Sequence, residues 1–378
     1  MADYIGIKRY DISGLKSLME SWHEPAFRAT QLLQWLYPEG VSSYQEMTNL
    51  PKALRQKLEE REPLYCPEML DCQISTDGTR KYLLQLADGL CVETVGIPDD
   101  SRLTVCFSTQ VGCAMGCVFC ATGGGGLIRS LETGEMVDQL TVVSRDMGMR
   151  VTNAVAMGEG EPFANYEATL AALRIMNSPH GLNIGARHLT ISTCGLTRQI
   201  DRFSYEPEQF TLAVSLHSAV QETRDLLMPA LAGFGLDDLR RSLVGYTNKT
   251  GRRLSFEITL IDGINDTVFE VDALLDFIKG LLCHVNLIPF NRVFEARFPD
   301  VASEPEKKER HVHVSAPQRF KHAGASLFRP SSIDRVREIA AVIQKAGIEC
   351  SIRRSRGSDI HGACGQLKGM RSQESSEA

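Results

Sequence analysis

Hydrophobic positions repeat along this chain with two periods, and the places where one gives way to the other divide it. Up to residue 63 the helical period dominates: FRATQLLQWLY (27–37) puts Leu32, Leu33, Leu36 and Tyr37 on one face, and a second helix is predicted after Pro51. Between 64 and 101 the runs become strand-like. Asp77-Gly78 separates CQIST from KYLLQL, and Asp88-Gly89 precedes LCVETVGI, which is the turn chemistry of an antiparallel meander. From Arg102 onward apolar strand-length runs alternate with amphipathic helical ones. The predicted strands are 102–108, 153–158, 188–193, 210–217, 253–261 and 284–290, with helical stretches such as GEMVDQLTVVSRDM, YEATLAALRIMN and VFEVDALLDFIKGLL between them. Six β-then-α units predict an α/β fold with a parallel sheet, open or curled into a partial barrel, whose chemistry lies at the C-terminal strand ends. The expected organisation is a helical unit (1–63), a β-meander (64–101), an α/β core (102–368) with a polar insertion loop (293–332), and a disordered tail (369–378).

Composition narrows the class. With 378 residues, 43% hydrophobic and 23% charged, the chain is globular in type. No stretch approaches the roughly 18 uninterrupted apolar residues of a membrane helix. The N-terminus MADYIGIKRY lacks the layout of a signal peptide, so a cytoplasmic location is expected. Eleven cysteines in a long chain without an export signal point to metal or thiol chemistry rather than to a disulfide framework. The net charge of −6 argues against non-specific attachment to nucleic acid, but it is an average. The stretch Glu306 to Arg329 holds six Lys/Arg against two acids, and Arg353, Arg354 and Arg356 add three more, all candidate phosphate contacts.

The strongest chemical signal is Gly112-Cys113-Ala114-Met115-Gly116-Cys117-Val118-Phe119-Cys120, a C-x3-C-x2-C run just after the first strand of the α/β array. Three thiolates on one loop can hold three corners of a cubane iron–sulfur cluster and leave one iron open. An open position suits catalysis, and here the amino and carboxylate groups of S-adenosylmethionine can fill it. A structural zinc loop, closed by His217 or a distant cysteine, is the competing reading of the same spacing. A second signal, Met157-Gly158-Glu159-Gly160-Glu161-Pro162, ends the second strand and is a candidate clamp for the ligand's ammonium group. Ser192, Ser215, His217 and Asn291 end later strands, where a ligand with ribose hydroxyls and a carboxylate needs polar partners.

With these motifs in order, the sequence resembles the RlmN/Cfr family of radical S-adenosylmethionine RNA methyltransferases. The resemblance runs through EMTNLPKALRQKL, STDGTRKYLLQL, VETVGIP, CFSTQVGCAMGCVFCATG, GEGEPFAN, LTISTCG, AVSLHS, DGIND, NLIPFN and RRSRGSDIHGACGQL. The N-terminal helical unit favours the RlmN branch. The resemblance implies a radical SAM partial (β/α)6 TIM-like barrel, a small N-terminal domain that assists RNA binding, a [4Fe-4S] cluster and two molecules of S-adenosylmethionine per turnover. It implies that Cys113, Cys117 and Cys120 ligate the cluster and that Gly160, Glu161, Ser192, Ser215, Leu216, His217 and Asn291 contact S-adenosylmethionine. It further implies Cys364 as the S-methylated intermediate, Cys106 as the resolving cysteine that forms a transient disulfide with it, and Glu93 as proton acceptor. The implied product is 2-methyladenosine in 23S ribosomal RNA, with transfer RNA as a second substrate and flavodoxin or ferredoxin as electron donor.

From the residues alone, Cys106 among apolar neighbours reads as core, Cys364 as an exposed turn residue, and Glu93 as a solvent-facing strand position. The chain departs from the family's usual GMGEP at Glu159, in the residues Asp359 to Gly362 before ACGQL, and in a longer stretch after Asn291. The rival functions are Cfr-like methylation of adenine C8, a non-catalytic RNA-binding protein with a structural metal loop, and a radical enzyme acting on a peptide or small molecule.

Overall fold

The computed structural model describes residues 6–293 and 328–367. Most of the predicted insertion loop, with its basic stretch, and the whole predicted tail lie outside these residues. The described residues divide into two compact units, one from 6–111 and 128–191, the other from 112–127, 192–293 and 328–367.

The first unit opens with three helices, α1 (Ile12–Ser21), α2 (Phe27–Leu36) and α3 (Lys52–Arg61). Asp11 caps α1 by accepting from the Gly14 N–H at 2.7 Å. Leu15, Met19, Leu32, Leu33, Leu36, Leu54 and Leu58 close a small core, as the helical spacing around Leu32 and Leu36 predicted. The meander follows as β1 (Glu68–Ile74), β2 (Arg80–Gln85), β3 (Cys91–Asp99) and β4 (Arg102–Cys106), each antiparallel to the next. The two Asp-Gly turns fall where expected: the Asp77 and Asp88 carboxylates accept from the N–H groups of Thr79 and Leu90. Past β4 comes β5 (Gln110–Gly112); the short helix α4 (Ala121–Gly124) belongs to the second unit, and the first resumes with β6 (Leu127–Ser130), α5 (Thr133–Met147), β7 (Asn153–Ala156), α6 (Tyr166–Asn177) and β8 (Leu189–Thr193). Here the sheet changes character, since β4 pairs with β7, and β7 with β8, in parallel.

The second unit contains α7 (Thr197–Phe203), β9 (Thr211–Ser215), α8 (Gln221–Leu227), α9 (Leu236–Thr250), β10 (Leu254–Leu260), α10 (Val268–Ile278), β11 (Cys283–Pro289), α11 (Ile333–Lys345) and β12 (Glu349–Ile352). Strands β9 to β12 pair in parallel in chain order. All six strands predicted for the α/β array are present, and β12 is an unpredicted addition. Phe256, Val285, Leu287, Val336 and Ile343 are buried between strands and helices.

Candidate active site

In the second unit the cysteine run occupies the loop between β5 and α4. Gly112 enters it at φ 74°, and a side chain there would lie 2.0 Å from the Gly126 carbonyl oxygen, so only glycine lets the two ends of the loop approach. The Cys113 N–H donates to that carbonyl at 2.9 Å. The glycine run that follows is partly helical: Ala121–Gly124 make a turn of helix, and Gly123 packs against the Cys117 backbone. Below the loop is an apolar pad of Cys194, Leu226, Leu227, Met228, Leu231, Ile261, Ile264, Phe290 and Phe328, joined by Phe119 of the loop itself. The Val118 N–H donates to the Leu227 carbonyl at 3.1 Å, which fixes the loop on the end of α8.

The C-terminal turn that bears Cys364 is fastened to the same loop. Ala121 N–H donates to the Gly365 carbonyl at 2.8 Å, and the Thr122 hydroxyl to the Leu367 carbonyl at 2.6 Å. Asn291, just past β11, donates from Nδ2 to the carbonyl of Cys364 at 3.2 Å. Cys364, Asn291 and the three cysteines are thereby brought together, and Cys364 is half-buried rather than exposed.

Two other predicted residues meet across neighbouring strands: the hydroxyls of Ser192 and Ser215 are 3.2 Å apart. His217 follows β9 with φ 58° and is buried with its ring 4.6 Å from that of Phe119. Its Nδ1 accepts from the Thr259 N–H at 3.2 Å, so the ring proton sits on Nε2. Burial, assisted by the Arg224 guanidinium charge, pushes His217 down to about 3, and the ring is neutral. Leu216 is fully buried, and its N–H, like that of His217, donates to the Glu257 carbonyl.

In the first unit the GEGEP segment ends β7. Gly160 has φ 103°, and a side chain on it would collide with Gln110 at 2.6 Å. The buried Glu161 carboxylate accepts from the Phe163 N–H at 3.0 Å and its own N–H donates to the Gln110 side chain at 2.9 Å. Glu159, the departure from the family pattern, turns inward: it is buried and its carboxylate accepts from the Glu93 N–H at 2.9 Å.

Glu93 is therefore not the solvent-facing strand residue that alternation suggests. It is buried on β3, and Lys81 of β2 lies 3.0 Å from its carboxylate. Val95 stands opposite both Lys81 and Cys106 in the ladders, so Lys81, Glu93, Val95 and Cys106 project from one face of the sheet. Cys106 is buried, as its apolar neighbours indicate. Lys81 was missed because a lysine between two strand residues reads as surface. Its position two residues from an Asp-Gly-Thr turn offers no signal of an acidic partner.

Among the described residues no group of three or more His, Cys, Asp or Glu side chains is placed to hold a metal ion. The donor chemistry fits the cluster: three thiols lie on one loop over an apolar pad, and the buried Nε of Arg224 nearby has no acceptor.

A family model for the ribosomal RNA large subunit methyltransferase N-terminal domain matches residues 6–63, and the radical SAM superfamily model matches residues 107–275. A protein of Clostridioides difficile named "Probable dual-specificity RNA methyltransferase RlmN" is 40% identical over 96% of this chain and 97% of its own length. The chain belongs to the RlmN family. Its Bacillus subtilis relative of the same name is 40% identical over 97% of this chain and 94% of its own length. The crystal structure of a radical SAM methyltransferase from Sphaerobacter thermophilus superposes with a TM-score of 0.82 at 38% identity, covering 96% of this chain and 99% of that one. The fold is thus the α/β radical SAM fold with a small N-terminal helical domain. The cofactors of the RlmN family are a [4Fe-4S] cluster and S-adenosylmethionine, two molecules per turnover. None of the helices described is long and apolar enough to cross a membrane.

Proposed function

We propose that this chain methylates carbon 2 of an adenine in 23S ribosomal RNA, with transfer RNA as its second substrate, and that Cys364 carries the methyl group. The observation that supports this reading best is the fastening of the Cys364 turn to the cysteine loop through Ala121, Thr122 and Asn291. A methyl carrier has to be reached by chemistry that starts at the loop, and a freely mobile tail would not be.

Cys113, Cys117 and Cys120 hold the cluster. Bound there, the cluster supplies the electron that turns S-adenosylmethionine into a hydrogen-abstracting radical. Gly160, Glu161, Ser192, Ser215, Leu216, His217 and Asn291 bind S-adenosylmethionine, the neutral His217 adding no positive charge near a sulfonium. The Cys364 thiolate accepts a methyl group by displacement at that sulfonium, a reaction suited to a thiolate. Adenine C2 is not nucleophilic, so the methyl reaches it from Cys364 as a carbon radical after loss of one hydrogen atom. The radical adduct gives up one electron, which the oxidised cluster would take back, and Glu93 accepts the C2 proton. Cys106 frees the product by attacking the Cys364 sulfur, which forms the transient disulfide and breaks the sulfur–carbon bond, and the released methylene carbon takes up a proton to become the methyl group. The adenine has to leave its stack to expose C2. Flavodoxin or ferredoxin supplies electrons, in the cytoplasm.

The test is anaerobic reconstitution with iron and sulfide, followed by incubation with S-adenosylmethionine, reductant and unmodified ribosomal or transfer RNA, and mass spectrometry of the digested nucleosides. The expected product is 2-methyladenosine with the wild type and none with Cys364→Ala. Accumulation of 8-methyladenosine moves the chain to Cfr-like chemistry. Formation of 5′-deoxyadenosine with no methylated RNA refutes the substrate.

A further inference from the structure

Beside the cysteine loop lies a buried charge with no ion-pair partner among the described residues. Arg224 on α8 is 1% exposed. Its Nη2 donates to the carbonyl of Cys194, while Nε finds no acceptor, and no carboxylate among the described residues comes within ion-pair distance. A guanidinium does not give up its proton inside a protein. Leaving such a charge buried and uncompensated costs several kcal/mol, so an anion belongs here that the chain acquires after synthesis.

The surroundings say which anion. Arg224 lies one helical turn before Leu227, whose carbonyl receives the Val118 N–H of the cysteine loop. Gly195 leaves room for the guanidinium: a side chain there would stand 3.2 Å from Nη2. Cys194, whose carbonyl holds the guanidinium, touches the cysteine loop, its sulfur lying 3.4 Å from that of Met115, and Cys117 and Asp225 also face Arg224, Asp225 without reaching ion-pair distance. Three thiolates on a doubly positive iron–sulfur core are negative overall, and reduction adds one more negative charge. A fixed buried cation favours that reduced state, and net charge near a cluster is a principal control of its potential.

We propose that Arg224 is the buried counter-cation of the iron–sulfur cluster and sets its reduction potential. The inference rests on the reading that Cys113, Cys117 and Cys120 ligate the cluster. Arg224 is a positioning and electrostatic residue, not a catalytic one, because its effect reaches the reaction through the cluster.

The experiment compares reconstituted wild type, Arg224→Lys, Arg224→Met and Cys117→Ala by iron and sulfide content, by a redox titration followed by electron paramagnetic resonance, and by thermal unfolding with and without cluster. Arg224→Met is expected to load iron but to weaken the reduction equilibrium at least tenfold, which for one electron is about 59 mV toward more negative potential. Arg224→Lys keeps the charge and stays near wild type. Without cluster, Arg224→Met is expected to melt no lower than wild type, since it removes an uncompensated charge. A loaded Arg224→Met with unmoved potential overturns the proposal, and if its S-adenosylmethionine affinity has fallen instead, the guanidinium pairs with the ligand's carboxylate. An Arg224→Met chain that fails to fold without cluster also overturns it, because the arginine is then structural. If Cys117→Ala retains its full iron, the ligand reading itself fails, whatever Arg224 does.

Discussion

At the scale of single residues, the first unit keeps two of its buried carboxylates, Glu159 and Glu93, out of water by different means. Glu159 grips a main-chain N–H, whereas Glu93 meets a lysine side chain. The second arrangement is the more vulnerable to substitution. Replacing Lys81 by Met leaves Glu93 buried without its ammonium, which is expected to cost about 3 kcal/mol of folding stability. Pairing it with Glu93→Gln removes the stranded charge and is expected to restore most of that loss. Urea unfolding of the two single variants and the double variant measures the coupling; additive effects would show that the pair contributes nothing. None of this could be read along the sequence. Lys81 and Glu93 are each polar residues in an alternating strand, and only the ladder between β2 and β3 gives them a common face.

At the scale of elements, most of the array was legible. α6 spans the residues of the predicted run YEATLAALRIMN, and the predicted strands differ from the observed ones by a residue or two at their ends, where pairing stops. What escaped was short or polar. β12 has only four residues, too few for their alternation to stand out in the sequence, and it is a strand because β11 offers an edge beside it. α8 reads QETRDLL, a surface string by composition, yet Thr223 and Arg224 are buried. The cysteine loop was legible as spacing, but the constraint that shapes it sits at a glycine outside the three thiols. Gly112→Ala would place a methyl group against the Gly126 carbonyl and reopen the loop. The expected result is iron content after reconstitution falling to less than half that of wild type, with far-ultraviolet circular dichroism unchanged; normal iron loading would show that the loop tolerates the wider mouth.

At the scale of the whole molecule, the N-terminal helices are not an independent bead. Lys8, next to the first turn of chain, donates to both carboxylate oxygens of Asp138 on α5 at 2.7 and 2.8 Å, and both residues are buried. Asp138→Asn is expected to cost about 3–5 kcal/mol, since it strands the ammonium, while Lys8→Met with Asp138→Leu together is expected to cost far less. A denaturation midpoint unchanged in Asp138→Asn would contradict the tie. The second unit has a different long-range property. The Thr122 hydroxyl and the Leu367 carbonyl that anchor the cysteine loop are 245 residues apart in the chain. At a synthesis rate of roughly 5–20 residues per second, the loop emerges from the ribosome on the order of 10–50 s before its last anchor exists. During that interval its thiols are open to oxygen and to stray metal ions, so the timing of translation, as much as the affinity of the finished site, favours loading iron and sulfide only after that anchor has been made.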